Sequence, residues 1–176
     1  MCYIDINFYP FGAVLNAAHL HVILVHFPVI VIPLGALLLA LGIWRKNLTL
    51  QVTAYYIFIG GAAIGGAAFL LGDGAEEIIE HVAGVVESAI EPHEEASELA
   101  IWFVVALGVL SIITLATKSL SPLLSSRLQL PLLALAIVTS GLLGYAAQLG
   151  GKIRHPEAFD QSIVTRESAE DRDDDD

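Results

Sequence analysis

The chain is poor in cysteine, in lysine and, over long stretches, in charge of either sign. A single cysteine, Cys2, excludes an intramolecular disulfide and a cysteine-rich zinc or iron–sulfur site. With no Cys-x-x-Cys-His, covalent c-type haem attachment is excluded too. The N-terminus, Met-Cys-Tyr-Ile-Asp, lacks the basic region of a secretory signal peptide, so none is expected. No nucleophile elbow, P-loop, His-Glu-x-x-His or dinucleotide fingerprint is present, so catalysis by this chain alone is not supported. Nothing points to nucleic acid. Only three lysines occur among 176 residues, and no Asp, Glu, Lys or Arg lies between Ile6 and Trp44, from Asn47 through Gly72, or from Leu99 through Thr117.

What fills those stretches is apolar. Hydrophobic residues make up 56% of the chain and the mean hydropathy is +0.71, too apolar for an ordinary soluble domain. Each uncharged stretch is long enough to cross a hydrocarbon core of ~30 Å at ~1.5 Å per residue. The expected architecture is all-α: a polytopic antiparallel bundle of four transmembrane helices in contact with the lipid bilayer of the cell membrane. The expected spans are about 21–44, 52–72, 99–117 and 128–150, inside a membrane domain of residues 19–151. Residues 1–18 form an N-terminal tail, and 152–176 an acidic tail expected to be disordered. Pro28 and Pro33 predict a kink or local unwinding in the first span. Gly61-x-x-x-Gly65 and Ala62-x-x-x-Gly66 in the second predict close helix approach, as do Gly141 and Gly144 in the fourth.

Charge gives an orientation. The loops around 45–51 and 118–127 carry four bases and no acid, whereas all nineteen carboxylates lie at the other end. The basic residues decide, so both termini and the long loop between the second and third spans are expected to be extracytoplasmic. Lys152 and Arg154 oppose that reading. The acidic, lysine-poor face is either a solvated surface or an adaptation to high salt. In the long loop, Ile78, Ile79, Val82, Val85, Val86, Ala89 and Ile90 recur at helical spacing against Glu76, Glu77, Glu80, Glu87 and Glu91. They predict an extra amphipathic helix over about 75–91, ending at Pro92 and lying either on the membrane surface or, favoured by its acids, over the bundle mouth.

The six histidines, His19, His21, His26, His81, His93 and His155, all fall at this acidic end. His26 lies inside the apolar run, where an imidazole costs free energy unless something pairs with it. A backbone carbonyl freed by Pro28 or Pro33 would suffice. Three functional readings stand beside that one. Two imidazoles can ligate a b-type haem in the outer half of the bundle, with His26 and His93 as first choices and His21 or His155 in reserve; small residues of the second and fourth spans would make room for the macrocycle. Imidazoles with carboxylates can bind a divalent metal such as zinc or copper; the candidate set is His21, His26, His93 and Asp73, with Glu77, Glu80 and Glu94 nearby. The cluster can also relay protons or sense pH. A structural or assembly subunit with no ligand is the remaining class. Expected partners beyond lipid are membrane redox proteins or a second copy of the chain.

His19-Leu-His21-Val-Ile-Leu-Val-His26-Phe27-Pro28 resembles the opening motif, His-Pro-x-x-Val-His-Phe-Pro, of a predicted four-span membrane family, domain-of-unknown-function family two-two-three-one. Gly72-Asp73, His93 and Leu149-Gly150-Gly151 followed by His155 match in order, so the resemblance covers about residues 18–156. Val22 stands where the motif usually has proline, and the segment after Gly151 is shorter and lacks the usual Gly-Val-Gly ending. The resemblance implies a four-helix membrane domain, sometimes fused to or encoded near cytochrome-like modules, and no established reaction. It ranks His21, His26, Asp73, His93 and His155 above His19 and His81.

Overall fold

A computed structural model describes residues 16–80, 82, 84–120 and 122–159. His81 and the acidic stretch 160–176 lie outside the described residues. The elements are α1 (Ala17–Trp44), α2 (Leu48–Leu70), α3 (Gly72–Ile79), a 3-10 turn (Glu87–Ala89), α4 (Ile90–Leu120), α5 (Pro122–Arg154) and a last 3-10 turn (Pro156–Ala158). Two asparagines fix helix starts. The Asn16 side chain accepts from the His19 amide at 2.9 Å, and Asn47 accepts from the Leu50 amide at 3.2 Å, each satisfying a donor the helix cannot.

Four helices are long and apolar enough to cross a membrane: α1, α2, Glu87–Lys118 within the α4 region, and Leu123–Arg154 within α5. Only between 22% and 33% of each apolar window is buried inside the chain. The rest, including Ile30, Leu37, Trp102, Val109, Leu130 and Ile137, faces outward. In water so much apolar surface would drive association; in a bilayer it meets lipid tails. The helices alternate in direction, and α1 packs on α2 and α5 while α4 packs on the same two. α1 and α4 therefore face each other across the bundle.

The core is Ile32 and Leu39 of α1, Tyr55 and Phe58 of α2, Val104 and Leu107 of α4, and Leu132 of α5. Small residues set the helix spacing. A Cβ on Gly61 would stand 3.1 Å from Ile32, one on Gly65 3.3 Å from Val104, and one on Gly108 only 2.6 Å from the Ala62 Cβ. The Gly61-x-x-x-Gly65 motif thus docks α2 on α1 and α4. Gly66, Gly141 and Gly144 have nothing within 4 Å of such a Cβ, so their expected close packing is not made within this chain. Buried hydroxyls are satisfied by their own helices: Ser111 donates to Leu107 O, Thr114 to Leu110 O and Thr139 to Leu135 O, each at 2.7 Å. α1 stays helical through Pro28 and Pro33.

Helices outrun the apolar zone. α4 begins at Ile90 rather than near Leu99, and Pro92 sits in its first turn, where a missing N–H costs no helical bond. The extra helix between the second and third spans is α3, with one apolar and one acidic face. It stops at Ile79, short of the Glu91 that the helical spacing predicted, and the chain reverses through Gly84, whose φ of +84° is left-handed. The segment folds back on the bundle end. A Cβ on Gly74 would lie 3.2 Å from Ala17, Ala75 is buried, and the Val86 amide donates to Ile153 O of α5 at 2.9 Å.

Candidate functional site

At the acidic end of the bundle, two histidines are held in the same way by two different helical hairpins. His21 of α1 bonds through Nδ1 to the Ala68 carbonyl of α2 at 2.8 Å. His93 of α4 bonds through Nδ1 to the Ala146 carbonyl of α5 at 2.9 Å. The register repeats one turn further on: the glycine four residues after each carbonyl, Gly72 or Gly150, lies beside the ring. A Cβ on Gly150 would stand 3.0 Å from His93 Cε1, and one on Gly72 4.0 Å from His21 Cε1. A side chain at 150 would push the imidazole off its carbonyl.

These bonds fix the tautomer. A carbonyl oxygen only accepts, so Nδ1 carries the hydrogen in both rings and the neutral imidazole keeps its lone pair on Nε2. Among the described residues neither Nε2 is engaged in a hydrogen bond. Both rings are half-buried and lie within electrostatic reach of each other across the bundle mouth. An Nδ1–H bonded to a backbone carbonyl, with Nε2 free, is the arrangement that orients a histidine for ligation.

The other sequence candidates are placed elsewhere. His26 is exposed on the outer surface of α1, its Nδ1 bonded to the Val22 carbonyl of its own helix. That carbonyl is neither of those freed by the prolines, which belong to Leu24 and Val29. His19 is exposed in the first turn. His155 is exposed and paired with Glu157 at 3.1 Å. Hydrogen bonding to the Glu157 backbone amide, then to His155, holds the Glu157 carboxyl below its ordinary range. Asp73 is exposed on α3, as is Glu77. Among the described residues, no three of His, Cys, Asp and Glu converge to hold a metal ion. The set His21, His26, His93 and Asp73 is therefore not assembled; only His21 and His93 of it share the mouth.

Glu76 of α3 reaches across to Glu94 of α4. A hydrogen bond with Glu94, then burial and the charges of Glu94 and Asp73, raise the Glu76 pKa above the ordinary carboxylate value. A raised carboxyl pKa means that the folded state holds the proton more tightly than the unfolded chain. The contribution of this contact is complete at acid pH and is lost as pH rises through the raised value. Glu76→Gln, which keeps a donor at all pH, is expected to slow hydrogen exchange of the α3 amides relative to the native chain by a factor that grows as pH rises, after intrinsic base catalysis is divided out. A native-to-variant ratio that stays at one across the pH range would refute this.

Ala68, Ala146, Gly72 and Gly150 were not identifiable from side-chain chemistry, since two act through carbonyls and two through having no side chain. Their signal was positional: each glycine closes an apolar run, at the end where a histidine opens the preceding span.

These features define a class: an all-α, multi-pass membrane protein whose bundle carries a pair of carbonyl-anchored histidines at one end. A family model described as a predicted membrane protein (DUF2231) matches residues 17–157. The chain belongs to that family, and the matched region takes in all four spans and both histidine clamps. No curated protein and no solved structure matches the chain.

Proposed function

We propose that His21 and His93 are the two protein ligands of a b-type haem at the acidic end of the bundle, and that the protein takes part in membrane electron transfer. The observation that carries the reading is the duplicated clamp, which presents two oriented Nε2 lone pairs, one from each hairpin. Two imidazoles are the donors a porphyrin iron needs from a protein, because the macrocycle supplies the other four. A structural zinc takes four protein ligands and a catalytic zinc three, so two imidazoles with no third donor among the described residues suit haem better than a bare divalent ion. Bound there, haem would supply one-electron chemistry; the chain orients the ligands and half-buries them at the bundle end. The acids around the mouth would favour the oxidised, more positive iron and lower the potential.

The same reading sets the mouth and both termini on the extracytoplasmic side of the cell membrane, supported by the bases in the two short loops. Its partners would be membrane redox proteins exchanging electrons at that surface.

Haem titration of the purified protein in detergent tests it. One haem per chain with a low-spin, two-imidazole spectrum is expected, and His26→Ala should leave stoichiometry and spectrum unchanged. A Soret band that stays that of free haemin throughout the titration would overturn the reading.

A further inference from the structure

The opposite, basic end of the bundle contains a second polar cluster, which the histidine site does not use. The Lys118 ammonium, in the last turns of α4, is buried and has no hydrogen-bond partner among the described residues. It lies over the Tyr55 ring of α2, 5.7 Å from the centroid. Tyr55 is itself fully buried, and its hydroxyl, although beside the Gln129 side chain, makes no hydrogen bond of good geometry. The N–H groups of the neighbouring amides point elsewhere. Gln129 Nε2 donates to Gln51 Oε1 at 2.9 Å, and Gln51 Nε2 donates to the Gly42 carbonyl of α1 at 3.0 Å.

Among the described residues neither the ammonium nor the phenol meets an acceptor at hydrogen-bonding geometry. The cation–π contact offsets only part of the cost of withdrawing an ammonium from water. Among the described residues no carboxylate lies at this end, and the Asp and Glu side chains of that set sit at the other. An anion from outside the chain is the remaining partner, and the unsatisfied groups describe it: an oxygen-rich acceptor that takes hydrogens from an ammonium and a phenol, as a phosphate does. Position names the source. Lys118 ends its apolar run, at headgroup depth, and Arg45, Lys46 and Arg127 surround the same end with positive charge.

We propose that the Lys118–Tyr55 cluster binds the phosphate group of an anionic phospholipid, making this end of the bundle a specific lipid site. It is independent of any ligand at the histidine mouth.

The test uses the full chain in nanodiscs of phosphatidylcholine with and without phosphatidylglycerol, reading retained lipid by native mass spectrometry and the thermal midpoint. Native protein should retain phosphatidylglycerol and unfold at higher temperature in its presence. Lys118→Gln should weaken retention by about tenfold or more. Tyr55→Phe, which keeps the ring and removes the hydroxyl, should weaken it in the same direction and remains informative if the lysine variant fails to fold. Arg45→Gln, a surface charge of the same sign, should leave specific retention in place. Unchanged retention in both Lys118→Gln and Tyr55→Phe overturns the proposal. Inorganic phosphate in phosphatidylcholine nanodiscs should not raise the midpoint; equal protection by phosphate alone overturns the lipid source.

Discussion

Alanine in place of His93 is expected to abolish the two-imidazole spectrum of the haem-loaded protein while leaving the chain inserted and helical. The fold should survive because the Ala146 carbonyl lies within α5, where it also accepts from its own helix, and the space vacated beside Gly150 is at the end of the bundle rather than in its core. On the proposed reading the ligand should not survive, because one of the two imidazoles that would hold the iron is gone. The loss of affinity should exceed the roughly 10–100-fold typical of removing a partner that only orients a ligand. His21→Ala should match it, since the two clamps are equivalent in register, and His26→Ala should not. Free imidazole in the buffer should restore a low-spin spectrum to either alanine variant by filling the vacated position. If both variants bind haem like the native chain, these two residues are not the ligands.

Gly108→Ala is expected to cost about 1–3 kcal/mol of bundle stability, a large effect for one methyl group. Its Cβ would sit 2.6 Å from the Ala62 Cβ, and neither atom belongs to a flexible side chain that can swing away. α2 and α4 must therefore separate, and the packing of Gly65 on Val104 along the same contact loosens with them. The double variant Gly108→Ala with Ala62→Gly returns the methyl group to the interface from the other side and should recover most of the loss. Gly141→Ala, at a position open to the surroundings, should be neutral or slightly stabilising, because alanine is the better helix former by ~1 kcal/mol. Reversible unfolding in mixed detergent micelles reads all three. A Gly108→Ala protein as stable as the native one would mean that the α2–α4 approach is looser than described.

The four spans were legible because a bilayer imposes one rule, twenty or so apolar residues without charge, that no other environment enforces as strictly. Helix ends were not legible in the same way. Outside the membrane a helix is held by caps and by contacts with its neighbours, so α4 could start at Ile90 among glutamates where hydropathy gave no sign of it. The long loop shows the complementary limit: its apolar residues keep helical spacing from Ile78 to Ile90, yet the backbone turns at Gly84. A period reports which face is apolar, and cannot report a break that one left-handed glycine makes.

For the site, the histidines were visible and their directions were not. His26 drew attention through its depth in the apolar run, but depth measures cost and says nothing of azimuth. It follows His21 by five residues, about 140° around the helix, so when His21 points across the mouth His26 points to the outside. His21 and His93 are joined by features that leave no mark in residue chemistry: two backbone carbonyls and two glycines that make room. The family motifs contain these glycines, and the structure supplies their reason, since the ring of His93 lies where a side chain at 150 would be.

The two clamps have a consequence for how the molecule is put together. α1 with α2, and α4 with α5, each form a hairpin in which a histidine near the start of the first helix is tied to a carbonyl near the end of the second. Each hairpin is thus a self-contained half that seats its own imidazole, and the strap from Gly72 to Ala89 joins them. In terms of assembly the chain behaves as two hairpins in tandem, each bringing one imidazole tied to its own second helix to the same end of the bundle.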